Sequence, residues 1–138
     1  MKIAADANVL LSAVIGGRAR LVLTHPEIEE LVTTEATFAE VREYALLLGR
    51  KKKLAPDTIL LTVAALPVSI ISSEVYEDKM AEARKLIGGR DPDDIGILAL
   101  TLFMKIPLWS NDNDFEGCGI ERLTTAEILS KLGIFETK

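Results

Sequence analysis

The sequence predicts an α/β fold: a three-layer α/β/α sandwich around a central, mainly parallel sheet of short strands. Short apolar runs of strand length alternate along the chain with longer segments that have helical periodicity or helix end signals. This alternation is typical of a parallel sheet that is covered by helices on both faces. The chain has 138 residues and is 49% hydrophobic, which is enough for a sizeable core, and we expect a single domain over 1–138.

The N-terminal half is expected to follow a strand–helix–strand–helix order. The expected elements are a buried strand at 2–6, a helix over 7–24 with a break at Gly16-Gly17, a strand at 31–32 and a helix over 35–48. The last of these is the clearest helix, because its apolar side chains recur with i, i+3, i+7 spacing. Thr34 is the expected N-cap of this helix, and Gly49 is expected to end it.

The C-terminal half continues the alternation. The expected elements are a helix from Pro56 to about Ala65, a strand at 68–71, a helix from Glu74 to about Ile87 closed by Gly88-Gly89, a helix from Pro92 to about Lys105, strands at 107–110 and 120–123, and a last helix stopped by Gly133. Cap signals support three of the helix starts. Ser73 and Asp91 are expected N-caps, and Thr124 with Glu127 fits a capping box.

Composition excludes several classes of protein. The net charge is −5, whereas a protein that binds nucleic acid by simple electrostatics is normally basic. An enzyme whose acids hold metal is not excluded, since bound divalent ions reverse the local field. Cys118 is the only cysteine, so an intramolecular disulfide is impossible and a cytoplasmic location is expected. No apolar stretch reaches the ~18–20 residues of a membrane span, and the early Asp6 argues against a signal peptide.

Several acidic residues fall at or near the ends of apolar segments, where an open α/β sheet gathers its active site. These residues are Asp6, Glu40, Asp94, Asp112 and Asp114. Carboxylates that crowd together repel one another unless a cation neutralises them, and oxygen ligands of this kind suit Mg²⁺ or Mn²⁺. The set therefore indicates a metal site, and its chemistry fits metal-ion hydrolysis of a phosphodiester.

Each acid also has a purely structural interpretation. Asp6 would serve equally well as the N-cap of the helix that follows it, and Glu40 would fit a solvated helix face. Asp94, at the third helical position if Asp91 is the cap, would simply stabilise a helix N-terminus. Asp112 and Asp114 would fit an ordinary Asn/Asp turn. The metal interpretation therefore depends on the whole set rather than on any one residue.

Four segments of the chain, in order, resemble the PIN domain family, the nuclease domain that includes VapC-type toxins. The matching segments are Asp6-Ala7-Asn8-Val9-Leu10, the helical Glu40, Asp91-Pro92-Asp93-Asp94 with the apolar run 98–102, and Trp109-Ser110-Asn111-Asp112-Asn113-Asp114-Phe115. The resemblance covers nearly the whole chain. Serine at 110 stands where threonine is commoner in the family, and none of the acids is missing.

The resemblance implies specific roles. Asp6, Glu40, Asp94 and Asp112 would form a catalytic acidic quartet around Mg²⁺ or Mn²⁺, with Asp114 as a further candidate metal ligand. Asn8 and Ser110 would support the quartet by orienting ligands or waters. The implied activity is endonucleolytic cleavage of single-stranded RNA, as in the toxin of a type II toxin–antitoxin pair. The implied partners are an inhibiting antitoxin protein and a second copy of the chain in a homodimer.

Two other functions are considered. A phosphotransfer enzyme using Asp6 as phosphoryl acceptor would want a second acid where Asn8 stands, so this function is disfavoured. A non-catalytic PIN-fold module that binds RNA or protein would keep the fold without the activity, and the intact set of acids argues against it. The basic run 50–53 is interpreted as a solvated loop, with a phosphate-contacting edge as the alternative.

Overall fold

The computed structural model describes residues 1–88 and 92–134, and its strands form one parallel sheet. The strands are β1 (Lys2–Ala5), β2 (Glu30–Thr34), β3 (Ser69–Ile71), β4 (Leu108–Trp109) and β5 (Arg122–Leu123). Their order across the sheet is β3-β2-β1-β4-β5, and every neighbouring pair is parallel. The predicted class, a central parallel sheet of short strands, is confirmed.

Helices connect the strands and cover the sheet. They are α1 (Ala7–Ile15), α2 (Ala19–Leu23), α3 (Glu35–Lys51), α4 (Pro56–Ala64), α5 (Ser73–Tyr76), α6 (Met80–Ile87), α7 (Asp94–Met104) and α8 (Thr125–Lys131). Single turns of 3₁₀ helix lie at Glu77–Lys79 and Asn113–Phe115. Among the described residues, the helices are too short or too polar to cross a membrane.

Two hydrophobic clusters lie on opposite faces of the sheet. Successive side chains of a strand point to opposite faces, and β1 follows this rule. Ile3 and Ala5 belong to the cluster that includes α1, α4 and α8, whereas Ala4 belongs to the cluster that includes α6 and α7. The sheet is therefore the middle layer of three, as the alternation of short strands and helices predicts.

The strand order creates a crevice at the carboxyl ends of β1 and β4. From β1 the chain proceeds through β2 to β3 on one side, and then crosses to β4 and β5 on the other side. In open α/β sheets such a reversal leaves a gap between the outgoing connections, and ligands bind there. Ala5 pairs with Trp109 across this boundary. Asp6 follows Ala5 and Ser110 follows Trp109, so these two residues lie side by side in the crevice.

Several of the predicted element ends are confirmed. Gly16 breaks the first helical segment with a left-handed φ of 109°. The Thr34 side chain caps α3 by accepting the N–H of Thr37. Thr124 and Glu127 form both hydrogen bonds of a capping box at the start of α8. These ends are well predicted because each depends on local chemistry rather than on tertiary packing.

Other boundaries differ from the prediction. Gly49 does not end α3, which continues to Lys51, so only Lys52 and Lys53 of the predicted basic loop lie outside the helix. The expected helix over 74–87 is interrupted by the 3₁₀ turn, and Ser72 rather than Ser73 occupies its N-cap position. Asp94 is the first residue of α7 rather than its third. The expected cap Asp91 and the expected helix stop Gly89 lie outside the described residues.

Candidate active site

A small polar cleft lies in the crevice at the carboxyl edge of the sheet. Its volume is about 70 Å³. The described residues that line it are Asp6, Ala7, Asn8, Thr37, Glu40, Asp93, Asp94, Ile97 and Asp112. All four acids of the predicted quartet thus face one cleft, although they come from the ends of β1 and β4 and from α3 and α7. Convergence of side chains from separate elements is what a catalytic or metal site requires.

Asp6 is held between the two strands that flank the crevice. It follows β1 directly and is only 5% exposed. Its Oδ1 accepts the N–H of Val9 at 3.1 Å, which makes Asp6 the N-cap of α1. Its Oδ2 accepts a hydrogen bond from the Ser110 hydroxyl. The structural interpretation of Asp6 as a cap is therefore correct, and the same carboxylate also faces the cleft.

The electrostatics of Asp6 reflect this environment. Burial raises the pKa of the Asp6 carboxyl above its ordinary value of 3.8, and the negative charge of Asp112 raises it further. The hydrogen bonds from Ser110 and from the Val9 N–H act in the opposite direction, because they stabilise the carboxylate. A cation in the cleft would favour the charged form in the same way.

The loop after β4 carries Asp112 and Asp114 in a fixed arrangement. The N–H of Asp112 donates to Ser110 Oγ at 3.0 Å. The N–H of Asp114 donates to Asp112 Oδ1 at 2.9 Å and begins the 3₁₀ turn, which buries Phe115. The predicted Asn/Asp turn is thus present, and it still leaves both carboxylates close to the cleft.

Three carboxylates lie close enough to share an ion. Asp94, Asp112 and Asp114 each offer one oxygen atom, and these three oxygens lie within 4.8 Å of one another. All three side chains are partly exposed, so solvent and ions reach them. Asp114 does not line the small cleft itself, yet it joins the cluster through its contact with the Asp112 loop. The structure therefore brings the fifth predicted acid to the same place.

The first turns of α3 supply Glu40. The capped N-terminus at Thr34 fixes the helix direction, and Glu40 follows a little under two turns later. Its side chain is half-buried and lines the cleft, so it reaches inward from the flank of the apolar stripe. The alternative of a fully solvated face applies instead to Glu43, which is exposed.

Both predicted supporting residues are in place. Asn8, in the first turn of α1, is exposed and lines the cleft. Ser110 is fully buried and contacts the cleft through its bonds with Asp6 and Asp112. Cys118 and Trp109 are core residues, 1% and 0% exposed.

Sequence reasoning missed two residues of the cleft. Thr37 lines it and is only 5% exposed, and Asp93 lines it while remaining exposed to solvent. The position of Thr37 has a signal in the sequence, because residues three apart on a helix share a face and Glu40 follows it by three. Asp93 has no comparable signal, since its position depends on how the chain enters α7.

A wider groove adjoins the acidic cleft. It has a volume of about 960 Å³ and shares Thr37, Glu40 and Asp93 with the cleft. Its other lining residues come mainly from α3, α5 and the start of α7, and they include the phenol-bearing side chains of Tyr44 and Tyr76. A molecule that occupies the groove would therefore lie directly beside the acids.

Comparison with protein families gives one match across most of the chain. The model of the PIN domain matches residues 4–133. The matched range includes all the acids that line the cleft. A comparison with curated proteins found no match.

Solved structures share the fold at low sequence identity. The DNA-bound VapBC of Salmonella typhimurium has a TM-score of 0.70 at 17% identity, covering 91% of this chain and 98% of that chain. PAE2754 from Pyrobaculum aerophilum has a TM-score of 0.72 at 13% identity, covering 98% and 97%. The toxin VapC20 of Mycobacterium tuberculosis, described as cleaving the sarcin-ricin loop, has a TM-score of 0.59 at 18% identity, covering 86% and 95%.

Proposed function

The chain belongs to the PIN domain family, and from this membership and its cleft we propose that it is a metal-dependent endoribonuclease. It hydrolyses phosphodiester bonds in single-stranded RNA. The observation that carries the proposal is the convergence of Asp6, Glu40, Asp94 and Asp112 on one cleft at the carboxyl edge of the sheet. Structural needs of the fold do not explain why four acids from four separate elements should meet there.

The donor set fits a hard divalent cation. It consists of carboxylate oxygens, which are the ligands that Mg²⁺ and Mn²⁺ prefer. Three of the carboxylates already lie within 4.8 Å of one another, without the large rearrangement that a scattered set would need. The residues that would hold the cation are Asp6, Glu40, Asp94, Asp112 and Asp114. When bound, Mg²⁺ or Mn²⁺ supplies Lewis acidity toward the phosphodiester and offsets the negative charge of the cleft.

The protein's own groups have distinct tasks in this proposal. The carboxylates of the quartet, Asp6, Glu40, Asp94 and Asp112, are the catalytic residues, and they are the groups within reach to accept a proton from an attacking water. Ser110 orients the Asp6 carboxylate through its buried hydrogen bond. Asn8 offers an amide to the cleft from the first turn of α1. No nucleophilic side chain is needed, since hydrolysis uses water as the attacking group.

Cleavage of a labelled, mixed-sequence single-stranded RNA by purified protein tests the proposal. The assay is run with Mn²⁺, with Mg²⁺ and with EDTA. Asp94→Asn should lower the cleavage rate by at least about 100-fold, because even outer-shell partners of a metal site are worth about 10–100-fold. Asp57→Asn is the matched control, since Asp57 is an exposed acid in the first turn of α4, away from the cleft.

Two outcomes would contradict the proposal. Cleavage that continues in EDTA or in Asp94→Asn would show that the acids are not the catalytic site. A folded protein that binds Mn²⁺ weakly or not at all, and cuts no RNA, would point to a non-catalytic binding module instead. Calorimetric titration with Mn²⁺ therefore accompanies the cleavage assay.

We propose further that the enzyme acts as the toxin of a toxin–antitoxin pair. The Salmonella structure that shares its fold is a VapBC complex bound to DNA, and another is described as a toxin. Expression of the chain alone in a bacterial cytoplasm should arrest growth, and Asp94→Asn should abolish the arrest while Asp57→Asn retains it. Normal growth with abundant active protein would favour an RNA-processing enzyme.

A homodimer is part of the same proposal. Several large apolar side chains on α3 and α5 are nearly half exposed, among them Tyr44, Leu47 and Val75. A second copy of the chain would cover them if they form one patch, since contiguous apolar patches on a surface commonly mark a protein interface. Ala83 and Ile87 of α6 are not available for this role, because both are buried in the second core cluster. Light scattering of the purified protein measures the mass and tests the dimer.

A further inference from the structure

Thr37 faces the acidic cleft from a position that packing alone does not explain. It lies on α3 one turn before Glu40, is 5% exposed and lines the cleft. Of the nine described residues around the cleft, only Asn8 and Thr37 carry a neutral side-chain hydrogen-bond donor. The other polar side chains of the cleft are carboxylates, which only accept when they are ionised.

Thr37 forms two hydrogen bonds with Thr34, one through its hydroxyl and one through its backbone N–H. Thr34 Oγ1 donates to Thr37 Oγ1 at 2.7 Å, and the N–H of Thr37 donates back to Thr34 Oγ1 at 2.9 Å. The phenol of the buried Tyr76 also lies within hydrogen-bonding reach of Thr34. Burial raises the pKa of this phenol, and the contact with Thr34 acts in the opposite direction.

The number of hydroxyl protons decides which group donates and which accepts in the hydrogen bonds between Thr34 and Thr37. A threonine hydroxyl has one proton to donate and two lone pairs that accept. Thr34 Oγ1 accepts from the Thr37 N–H, and its own proton goes to Thr37 Oγ1. The proton of the Thr37 hydroxyl is then left for an acceptor on its other side, where the cleft lies. Capping of α3 by Thr34 needs only the Thr37 N–H, so the cap does not account for the Thr37 hydroxyl.

We propose that Thr37 is a substrate-contacting residue whose hydroxyl donates a hydrogen bond to an oxygen of the phosphodiester bound in the cleft. This inference rests on the proposed nuclease function and adds a residue to its site. A phosphodiester carries a negative charge that the surrounding carboxylates repel. A neutral donor, already oriented by Thr34, attracts a phosphate oxygen without competing with the carboxylates for the cation. Orientation before binding lowers the entropic cost of the contact.

Replacement of Thr37 by valine removes the hydroxyl and keeps the shape of the side chain. Because a hydrogen bond to a charged group is worth more than a neutral one, kcat/KM for RNA cleavage should fall by about 10-fold to 100-fold. Thr37→Ser keeps the donor and should retain most of the activity. Thr101→Val is the matched control: Thr101 is also a buried helical threonine, it does not line the cleft, and its hydroxyl bonds to the backbone carbonyl of Ile97 at 2.8 Å.

Two further measurements separate a substrate contact from a structural role. Thr37→Val should bind Mn²⁺ with wild-type affinity in calorimetric titration, since the hydroxyl is not a metal ligand in this proposal. Fluorescence anisotropy of labelled single-stranded RNA in Ca²⁺ should show weaker binding to Thr37→Val than to wild type or Thr101→Val. Should Thr37→Val fail to fold, as judged by its thermal transition, Thr37→Ala replaces it in each assay.

The outcomes are distinguishable from failure of the proposed function itself. Wild-type protein that cuts RNA while Thr37→Val cuts equally well would overturn this inference alone. Loss of Mn²⁺ affinity in Thr37→Val would also overturn it, because the residue would then act on the cation site. Wild-type protein that neither binds nor cuts RNA would overturn the proposed function, and this inference with it.

Discussion

Ser110 Oγ donates a hydrogen bond to Asp6 Oδ2 and thereby joins two residues that are 104 positions apart in the sequence. The contact follows from the strand register, because Ala5 pairs with Trp109 and the next residues of β1 and β4 are then neighbours. The same Oγ accepts the N–H of Asp112 at 3.0 Å. One buried hydroxyl therefore fixes both a carboxylate of the cleft and the loop that carries two further acids.

Ser110→Ala is expected to impair both stability and activity. The change leaves the Asp112 N–H and one oxygen of Asp6 without this partner, which costs about 1–3 kcal/mol of unfolding free energy. Under the proposed function Ser110 orients metal ligands, and cleavage should then slow by about 10–100-fold when it is lost. Thermal melting and RNA cleavage in Mn²⁺ measure the two effects.

Ser110→Thr serves as the conservative control for this position, since it keeps the hydroxyl. It should retain activity that Ser110→Ala loses. An alanine variant that cuts RNA at the wild-type rate would show that Asp6 does not depend on Ser110 for its orientation. Contacts other than the one with Ser110 would then hold the buried carboxylate of Asp6 in place.

Asp6→Asn is expected to raise the stability of the metal-free protein at neutral pH. Burial raises the pKa of Asp6 above 3.8, so ionisation of Asp6 disfavours the folded state. This destabilisation is absent below pH 3.8, grows as the pH rises through the folded-state value, and is complete above it. Asparagine carries no charge and is also a good N-cap for α1. Thermal melting in EDTA at pH 4 and at pH 7 should show a gain at pH 7 that shrinks at pH 4.

Added Mn²⁺ should reverse the order of the two proteins. A ligand that binds only the folded state raises the melting temperature, more so the tighter it binds, and the wild type has the additional carboxylate. Wild type should therefore gain more from Mn²⁺ than Asp6→Asn gains. Equal gains in both proteins would indicate that Asp6 is a cap and not a ligand.

The sequence was sufficient to predict the fold class and the meeting of the acids. Short apolar runs and helix caps are local signals that predict the strands and helices. The carboxyl ends of parallel strands lie at the same edge of the sheet, so acids that follow these strands are expected to lie close together. Asp6 and Asp112 follow β1 and β4, so their convergence required only the strand order. The positions of Glu40 and Asp94 were harder to predict, because the sequence of a helix does not show which way an acidic side chain faces.

Tertiary packing decided what the sequence could not show. Thr37 looks like an ordinary helical threonine until Glu40 is known to face the cleft. Gly49 looks like a helix stop, yet α3 continues past it because α4 packs against this point. A Cβ on Gly49 would lie 2.8 Å from Ile59 Cγ1, so the glycine is needed for close approach of the helices rather than for a turn.

Thr124→Ala is expected to destabilise the protein by about 1 kcal/mol, the usual cost of losing an N-cap side chain. Thr124 Oγ1 accepts the Glu127 N–H at 3.1 Å, and Glu127 Oε1 accepts the Thr124 N–H at 3.1 Å. Denaturant unfolding measures the loss. RNA cleavage at a temperature where both proteins are folded should not change, because α8 does not line the cleft. A variant as stable as wild type would show that the capping box is not needed.

Gly49→Ala and Gly96→Ala are expected to change stability in opposite directions. Both glycines lie inside helices, where alanine is favoured by about 0.5–1 kcal/mol. At Gly96 the nearest atom to an added Cβ is the Tyr76 hydroxyl at 4.0 Å, so the variant should gain this amount. At Gly49 the Cβ meets the buried Ile59 side chain, and overpacking costs about 1–3 kcal/mol, which outweighs the gain in helix propensity.

The double variant Gly49→Ala with Ile59→Ala separates overpacking from other effects. Ile59→Ala alone should cost about 2–5 kcal/mol, because it leaves a cavity between α3 and α4. Once that space exists, the new Cβ at Gly49 fits into it, so the double variant should be at least as stable as Ile59→Ala alone. Such non-additivity is expected only for residues in direct contact. If the two costs add instead, Gly49 is required for a reason other than its approach to Ile59, and denaturant unfolding of the four proteins decides between these outcomes.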